Sequence, residues 1–155
     1  MTRRLSLFLI ATLLLSVQTP AFAAGVTAAP ADEGDQYRRT IGLLSAAYLF
    51  QTFTVIGAVG DGFAKKAYTE EKARGLLSVS LKLTISVADA FEAMKKMKLP
   101  ATDRKAVIEL NEVAELLVVE AKALSAYIRS EDKSDFRKYN KARKNVWDRL
   151  SKLLK

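Results

Sequence analysis

The chain has 155 residues, half of them hydrophobic, with 25 basic and 17 acidic side chains and a net charge of +8. It contains no cysteine and no histidine. These absences exclude catalytic triads of the Ser-His-Asp or Cys-His type, zinc sites built from histidine or cysteine, and haem held by either residue. We therefore expect no metal site, no cofactor and no enzymatic activity, and a fold that is stabilised by packing without disulfide bonds.

Residues 1–23 have the layout of a secretory signal peptide. Two arginines precede an uncharged apolar run over residues 5–17, and Pro20 then comes before the small-residue sequence Ala21-Phe22-Ala23. This order predicts cleavage after Ala23. An uncleaved anchor is the alternative, although the run is shorter than the ~20 residues that a spanning helix needs. We expect an exported protein, either periplasmic or secreted.

The next segments are predicted to be a flexible leader and a first helix. Residues 24–35 are small and polar and favour a leader without stable structure. Over residues 36–59 apolar side chains recur at 3.6-residue spacing, which predicts a helix. Its apolar stripe comprises Tyr37, Ile41, Leu44, Tyr48, Val55 and Val59. Because residues 41–60 carry no charge, insertion of this helix into a membrane is an alternative to burial in a bundle. The glycines around Asp61 favour a helix end, with Asp61 capping the following helix.

A second helix is predicted over residues 62–99, with Gly75 as a possible kink. Apolar and polar residues alternate from Leu77 to Val87, which by period alone indicates a strand. We predict a helix here because no second segment of similar pattern is available to pair with a strand. The alternation would then give two apolar stripes on opposite sides of a helix sandwiched between neighbours.

Residues 102–130 and 134–155 predict a helical hairpin, with Thr102 as the N-cap of its first helix. Each apolar stripe of the hairpin includes one charged residue, Glu120 in the first helix and Arg143 in the second. Folding the hairpin about residue 132 places these two side chains opposite each other. We interpret them as a structural charge pair that sets the register, with a ligand-binding pair inside the bundle as the alternative.

These elements together predict an all-α fold, an antiparallel four-helix bundle over residues 36–155. Nearly all of its positive charge lies in the last helix, because the segment from Lys133 to the end has nine basic and two acidic residues. We expect its outer face to contact an anionic partner, which is a lipid surface, an acidic polymer or an acidic protein, with no specific nucleic acid. The residues predicted to form this surface are Lys138, Lys141, Lys144, Arg149 and Lys152.

The alternative function is a carrier of small apolar ligands in the bundle core. Aromatic residues from three of the helices are candidates to line such a cavity, although ordinary core packing is the simpler explanation for them. They are Tyr48, Phe50, Phe53, Phe91 and Trp147.

Overall fold

The computed structural model describes residues 33–154, which form four helices and, within that range, no strand. The helices are α1 (Glu33–Ala64), α2 (Glu70–Lys95), α3 (Ala101–Ser130) and α4 (Lys133–Leu153). The predicted all-α four-helix fold is confirmed. The predicted signal peptide, residues 1–23, and residues 24–32 of the predicted leader lie outside the described residues.

Helix α3 occupies the centre of the bundle. It packs against each of the other three helices, whereas α2 and α4 do not pack on each other within residues 33–154. Short connections make each helix run back along the preceding one. The core is formed mostly by residues of α1 and α3, among them the fully buried Leu49, Ile56, Leu117 and Leu124.

Helix α1 is longer than its sequence pattern predicts, at both ends. It begins at Glu33, within the predicted leader, where Glu33 and Asp35 favour the positive end of the helix. It then continues through the glycine cluster to Ala64 rather than ending at residue 59. The prediction that Asp61 caps the next helix is wrong, because that cap is Thr69, whose hydroxyl accepts from the Lys72 amide at 3.3 Å.

The glycines of α1 mark close approaches of other side chains rather than a helix end. A Cβ at Gly57 would collide with the guanidinium of Arg143, and one at Gly60 would lie 2.9 Å from the Tyr139 hydroxyl. Absence of a Cβ therefore lets α4 side chains lie directly on the α1 backbone. The physical role of these glycines depends on residues about 80 positions further along the chain, which no local pattern reveals.

Helix α2 confirms that the alternating segment is helical, although its environment differs from the prediction. It starts at Glu70 rather than at residue 62 and passes through Gly75 without interruption. Leu77 is buried, but Val79 and Leu83 are 61% and 55% exposed. Most of the second apolar stripe therefore faces solvent, although Val87 is partly buried, and α2 is not sandwiched because its neighbours α1 and α3 cover only one side.

The ends of the C-terminal hairpin are determined by capping. Helix α3 begins after Pro100, and the predicted cap Thr102 instead lies within the first turn, with its hydroxyl 3.5 Å from Asp103 Oδ1. At the other end Glu131 adopts a left-handed conformation with φ of 52°, and its amide donates to the Tyr127 carbonyl. Asp132 then caps α4 by accepting from the Ser134 amide at 2.8 Å. The turn is therefore tight, which establishes the register of α4 on α3.

Candidate functional site

Helix α4 separates its apolar and basic residues onto opposite faces. Tyr139, Ala142, Val146 and Leu150 are buried against the bundle. The five cations predicted to form the anionic-partner surface, Lys138, Lys141, Lys144, Arg149 and Lys152, are all exposed. The inner face of α4 is thus already used for packing, and its charge is presented outward.

Two of these five cations are engaged by carboxylates of the protein itself. Lys138 Nζ lies 2.8 Å from Asp135 Oδ1, and this hydrogen bond raises the pKa of Lys138. Arg149 Nη2 lies 3.4 Å from Glu112 Oε2. Lys141, Lys144 and Lys152 take part in no ion pair within the described chain, so these three are the members of the predicted set whose charge is uncompensated.

Two further cations belong to this surface and were not among the predicted site residues. Lys133 and Arg137 are exposed and form no ion pair within residues 33–154. Lys133, Arg137 and Lys141 follow one another at intervals of four residues, which puts them on the outermost line of the helix, and the sequence alone shows this spacing. We call this line the basic crest; it comprises Lys133, Arg137, Lys141, Lys144 and Lys152.

An apolar rim borders the basic crest. Phe136, Trp147 and Leu154 are 39%, 46% and 50% exposed, and helical spacing places all three on the same side of α4. Trp147 is held by stacking on Phe53 of α1, with ring centroids 5.7 Å apart. The exposed surface of α4 is therefore a line of cations beside an ordered, half-exposed aromatic edge.

The two charged residues of the hairpin stripes, Glu120 and Arg143, are in contact. Arg143 Nη1 donates to Glu120 Oε1 at 2.8 Å and also to the backbone carbonyl of Phe53 at 3.1 Å. The guanidinium carbon lies 4.0 Å from the centroid of the Phe53 ring, a cation–π contact. One arginine side chain thus connects α1, α3 and α4.

The environment of this pair determines its electrostatics. Glu120 is fully buried, and burial raises its pKa to about 7, more than the hydrogen bond and charge of Arg143 lower it. Its second oxygen, Oε2, has no hydrogen-bond partner within the described residues. Nearby, burial raises the pKa of Tyr139 to about 12. A carboxyl with a pKa near 7 is suited to proton transfer, but no solvent reaches this one, so the geometry favours a structural role.

The aromatic residues predicted to line a core cavity do not surround one space. Phe53 and Trp147 stack on each other, Tyr48 is partly buried against the core, and Phe50 is 42% exposed. Phe91 alone lines an apolar cleft, of about 200 Å³, formed by the first half of α1, the end of α2 and the start of α3. Its other apolar lining residues include Tyr37, Ile41, Met94, Leu99, Val107 and Leu110.

This cleft is bordered by one ion pair. Arg38 Nε lies 3.8 Å from Asp103 Oδ2, and both residues contribute to the lining. The cleft was not predicted because it needs residues of three helices, and because its α1 residues were expected to be covered by the bundle.

Two acidic residues of α3, Glu112 and Glu115, are paired within the protein. Glu112 pairs with Arg149, and Glu115 accepts a hydrogen bond from the buried amide of Asn111 at 2.8 Å. Within residues 33–154 no three acidic side chains converge in an arrangement that could hold a metal ion.

One described helix, α1, is long and apolar enough to cross a membrane by length and composition. In the bundle, only 28% of its most apolar stretch is buried. Its outer side is therefore an apolar surface for which the four-helix fold provides no cover.

Comparison of the chain with protein-family models, curated protein sequences and solved structures found no match in any of the three.

Proposed function

We propose that this protein is a non-enzymatic interaction protein of the cell envelope that binds an anionic surface through the outer face of α4. The observation that carries the proposal is the basic crest, five exposed cations on one line of a helix whose opposite face is buried. Asp148 is the only acidic side chain that α4 places near this line, beyond the first turn.

The arrangement has an electrostatic cost that an anionic partner would relieve. Like charges four residues apart on a helix repel one another by a few tenths of a kcal/mol per pair. The crest contains two such steps, from Lys133 to Arg137 and from Arg137 to Lys141. Long, solvated side chains of this kind make diffuse contacts with many negative groups, and such contacts weaken as salt screens them.

The apolar rim favours lipid head groups among the anionic partners. Trp and Phe side chains with one exposed edge are suited to the boundary between water and acyl chains, especially beside lysines. Trp147 and Phe136 have this exposure. Since the main stripe of α4 is buried in the bundle, the contact is peripheral: the crest supplies attraction and the rim supplies shallow anchoring.

Co-sedimentation with vesicles tests the proposal. We expect binding to phosphatidylcholine vesicles that contain about a third phosphatidylglycerol, no binding to pure phosphatidylcholine vesicles, and loss of binding when salt is raised from about 0.05 M to 0.5 M. The variant Arg137→Glu, Lys141→Glu, Lys144→Glu should bind at least tenfold more weakly, since each residue near the surface contributes about 1 kcal/mol.

The matched control is Lys82→Glu, Lys96→Glu, Lys98→Glu, which changes the net charge equally with three exposed residues of α2 and the segment after it. It should retain most of the binding. Equal losses in the two triple variants would show that net charge, and not the crest, attracts the vesicles, and salt-independent binding would contradict the electrostatic mechanism.

The cleft lined by Phe91 supports a second candidate function, carriage of a small apolar ligand. Its volume of about 200 Å³ is below the usual size of ligand pockets, so only a short chain or a single ring would fit. Native mass spectrometry should detect such a ligand on the purified protein. Ala106→Phe, which fills the cleft, should remove it, whereas Ala90→Phe at an exposed site of α2 outside the cleft should not.

A further inference from the structure

The outer side of α1 carries a regular line of exposed residues that the bundle does not use. They follow one another at alternating spacings of four and three, the pattern of a helix–helix interface. All are exposed, and we call them the outer seam: Thr40, Leu44, Ala47, Gln51, Thr54, Ala58 and Asp61. Leu43 and Phe50, 71% and 42% exposed, flank it on one side, and Val55, 38% exposed, flanks it on the other.

The polar residues of the outer seam are suited to burial. The hydroxyl of Thr40 donates to the carbonyl of Gln36 at 2.9 Å, and that of Thr54 donates to the carbonyl of Phe50 at 3.0 Å. Because these hydroxyls are already bonded within the helix, covering them leaves no donor unsatisfied. From Thr40 to Ala58 the seam carries no charge.

We propose that the outer seam is the interface of an antiparallel homodimer. Its midpoint is Gln51, so a two-fold axis there would bring the two Gln51 amides together, where each can donate to and accept from the other. The same register places Leu44 opposite Ala58 of the second copy, and Ala47 opposite Thr54, so that a large residue meets a small one. The two Phe50 side chains would meet on the flank.

The charges at the two ends of the seam specify the antiparallel orientation. Arg39 and Asp61 are exposed, neither takes part in an ion pair within residues 33–154, and both lie on the flank that carries Leu43 and Phe50. In an antiparallel pair, residues on the same flank face each other. Arg39 of each copy would then meet Asp61 of the other, because the two positions are almost equidistant from Gln51. A parallel pair would place Asp61 against Asp61.

The proposed dimer interface is independent of the proposed lipid contact. It uses α1 only, and leaves the basic crest of each copy exposed. The seam is one helix wide and about 30 Å long. A dimer through it would bury less surface than the ~800 Å² per partner of stable complexes. We therefore expect association at micromolar concentration rather than an obligate dimer.

Cysteine cross-linking provides a direct test, because the natural chain has no cysteine. The protein is purified as cells produce it, its amino terminus is determined by mass spectrometry, and it is oxidised at about 50 µM, in the range of the expected affinity. Gln51→Cys should form a disulfide-linked dimer. Thr40→Cys and Asp61→Cys should not link alone but should link when mixed with each other. Ala93→Cys, exposed on α2, is the control for random collision.

Three results would overturn the proposal. Self-linking of both Thr40→Cys and Asp61→Cys would show a parallel pair. No linking of Gln51→Cys above the Ala93→Cys control would show that α1 does not self-associate. Protection of the Gln51→Cys thiol from a charged reagent in vesicles, without a dimer, would show that a membrane covers the seam instead.

Charge reversal gives a second, independent readout by sedimentation equilibrium. Arg39→Glu and Asp61→Arg should each weaken dimerisation about tenfold, since each creates two repulsive pairs across the axis. The double variant should restore the original affinity. Failure of the double variant to restore dimerisation would remove the antiparallel register from consideration.

Discussion

The C-terminal hairpin and α1 differ in which side chains they bury. In the hairpin a carboxylate, Glu120, is fully buried, while on α1 the side chains of Leu43 and Leu44 are 71% and 64% exposed. Helices α3 and α1 both contact the other three, but α3 packs extensively on α2 and α4, whereas α1 meets α4 only narrowly and leaves its outer side uncovered. Burial in this protein is thus decided by position in the bundle more than by side-chain type.

Besides the packing of α1 on α3, the two regions are joined by a narrow contact between α1 and α4. Helix α1 meets α4 mainly where Gly57 and Gly60 lie under Arg143 and Tyr139. Because Arg143 also holds Glu120, the buried charge of the hairpin and the position of α1 depend on the same side chain. Three measurements separate the contributions of the buried pair and of the α1–α4 contact to stability.

Replacing Arg143 with Met should destabilise the protein by about 3–5 kcal/mol at pH 8, because Glu120 is left buried without a partner. The loss should be smaller at pH 5, where the carboxyl is protonated. Urea unfolding monitored by circular dichroism measures both values. Lys144→Met, at an exposed position of the same helix, should change the free energy of unfolding by less than about 0.5 kcal/mol. Equal effects of the two substitutions would mean that the pair is not a structural element.

The raised pKa of Glu120 predicts that acid stabilises the fold. The folded pKa of about 7 lies above the ordinary glutamate pKa of 4.5, so between these values the folded state binds more protons than the unfolded state. The contribution of this residue to stability therefore decreases as pH rises through that window, by on the order of 2–3 kcal/mol between pH 5 and pH 8.

Comparison with Glu120→Gln isolates that contribution, since all other titrating groups are common to the two proteins. The difference in the free energy of unfolding, wild type minus variant, should fall from pH 5 to pH 8. A difference that does not change with pH would show that the carboxylate keeps an ordinary pKa.

Substitution of single glycines should have the smallest effects and opposite signs. Gly57→Ala should destabilise the protein by about 1–2 kcal/mol, because the added methyl group forces the Arg143 guanidinium to shift and weakens its hydrogen bonds. Gly75→Ala on α2 meets no atom within 4 Å and should stabilise by about 0.5–1 kcal/mol through helix propensity alone. Thermal unfolding of the two variants measures both changes in stability. Stabilisation by both substitutions would show that Arg143 of α4 does not lie close against Gly57 of α1.

The features that the sequence predicted correctly are those that depend on local periodicity. The number of helices and the placement of Glu120 opposite Arg143 both follow from stripes within adjacent helices joined by a short turn. The outward direction of the lysines on α4 follows from the same stripes. Lys133 and Arg137 were omitted from the predicted surface although the same periodicity includes them.

The features that the sequence did not predict depend on contacts between distant segments of the chain. The apolar stripe of α1 through Tyr37, Ile41 and Leu44 predicted burial, but these residues lie on the exposed half of the helix or line the cleft, because too few helices are available to cover them. The glycine cluster suggested a helix end by its composition. Its actual role is specified by Arg143 and Tyr139, and no pattern within α1 contains that information.

The hydrogen bond from Arg143 to the carbonyl of Phe53 joins residues 90 positions apart. A ribosome must therefore synthesise α1, α2, α3 and the first half of α4 before this bond can form, so α1 gains its contact with α4 long after it is made. Until α4 arrives, α1 is held by α2 and α3 alone, and Glu120 lacks the Arg143 counter-ion. Chains that terminate before Arg143 would hence carry two defects at once, an unneutralised carboxylate in the interior and a loosely held apolar helix, which are features that cellular proteases and chaperones recognise in incomplete proteins.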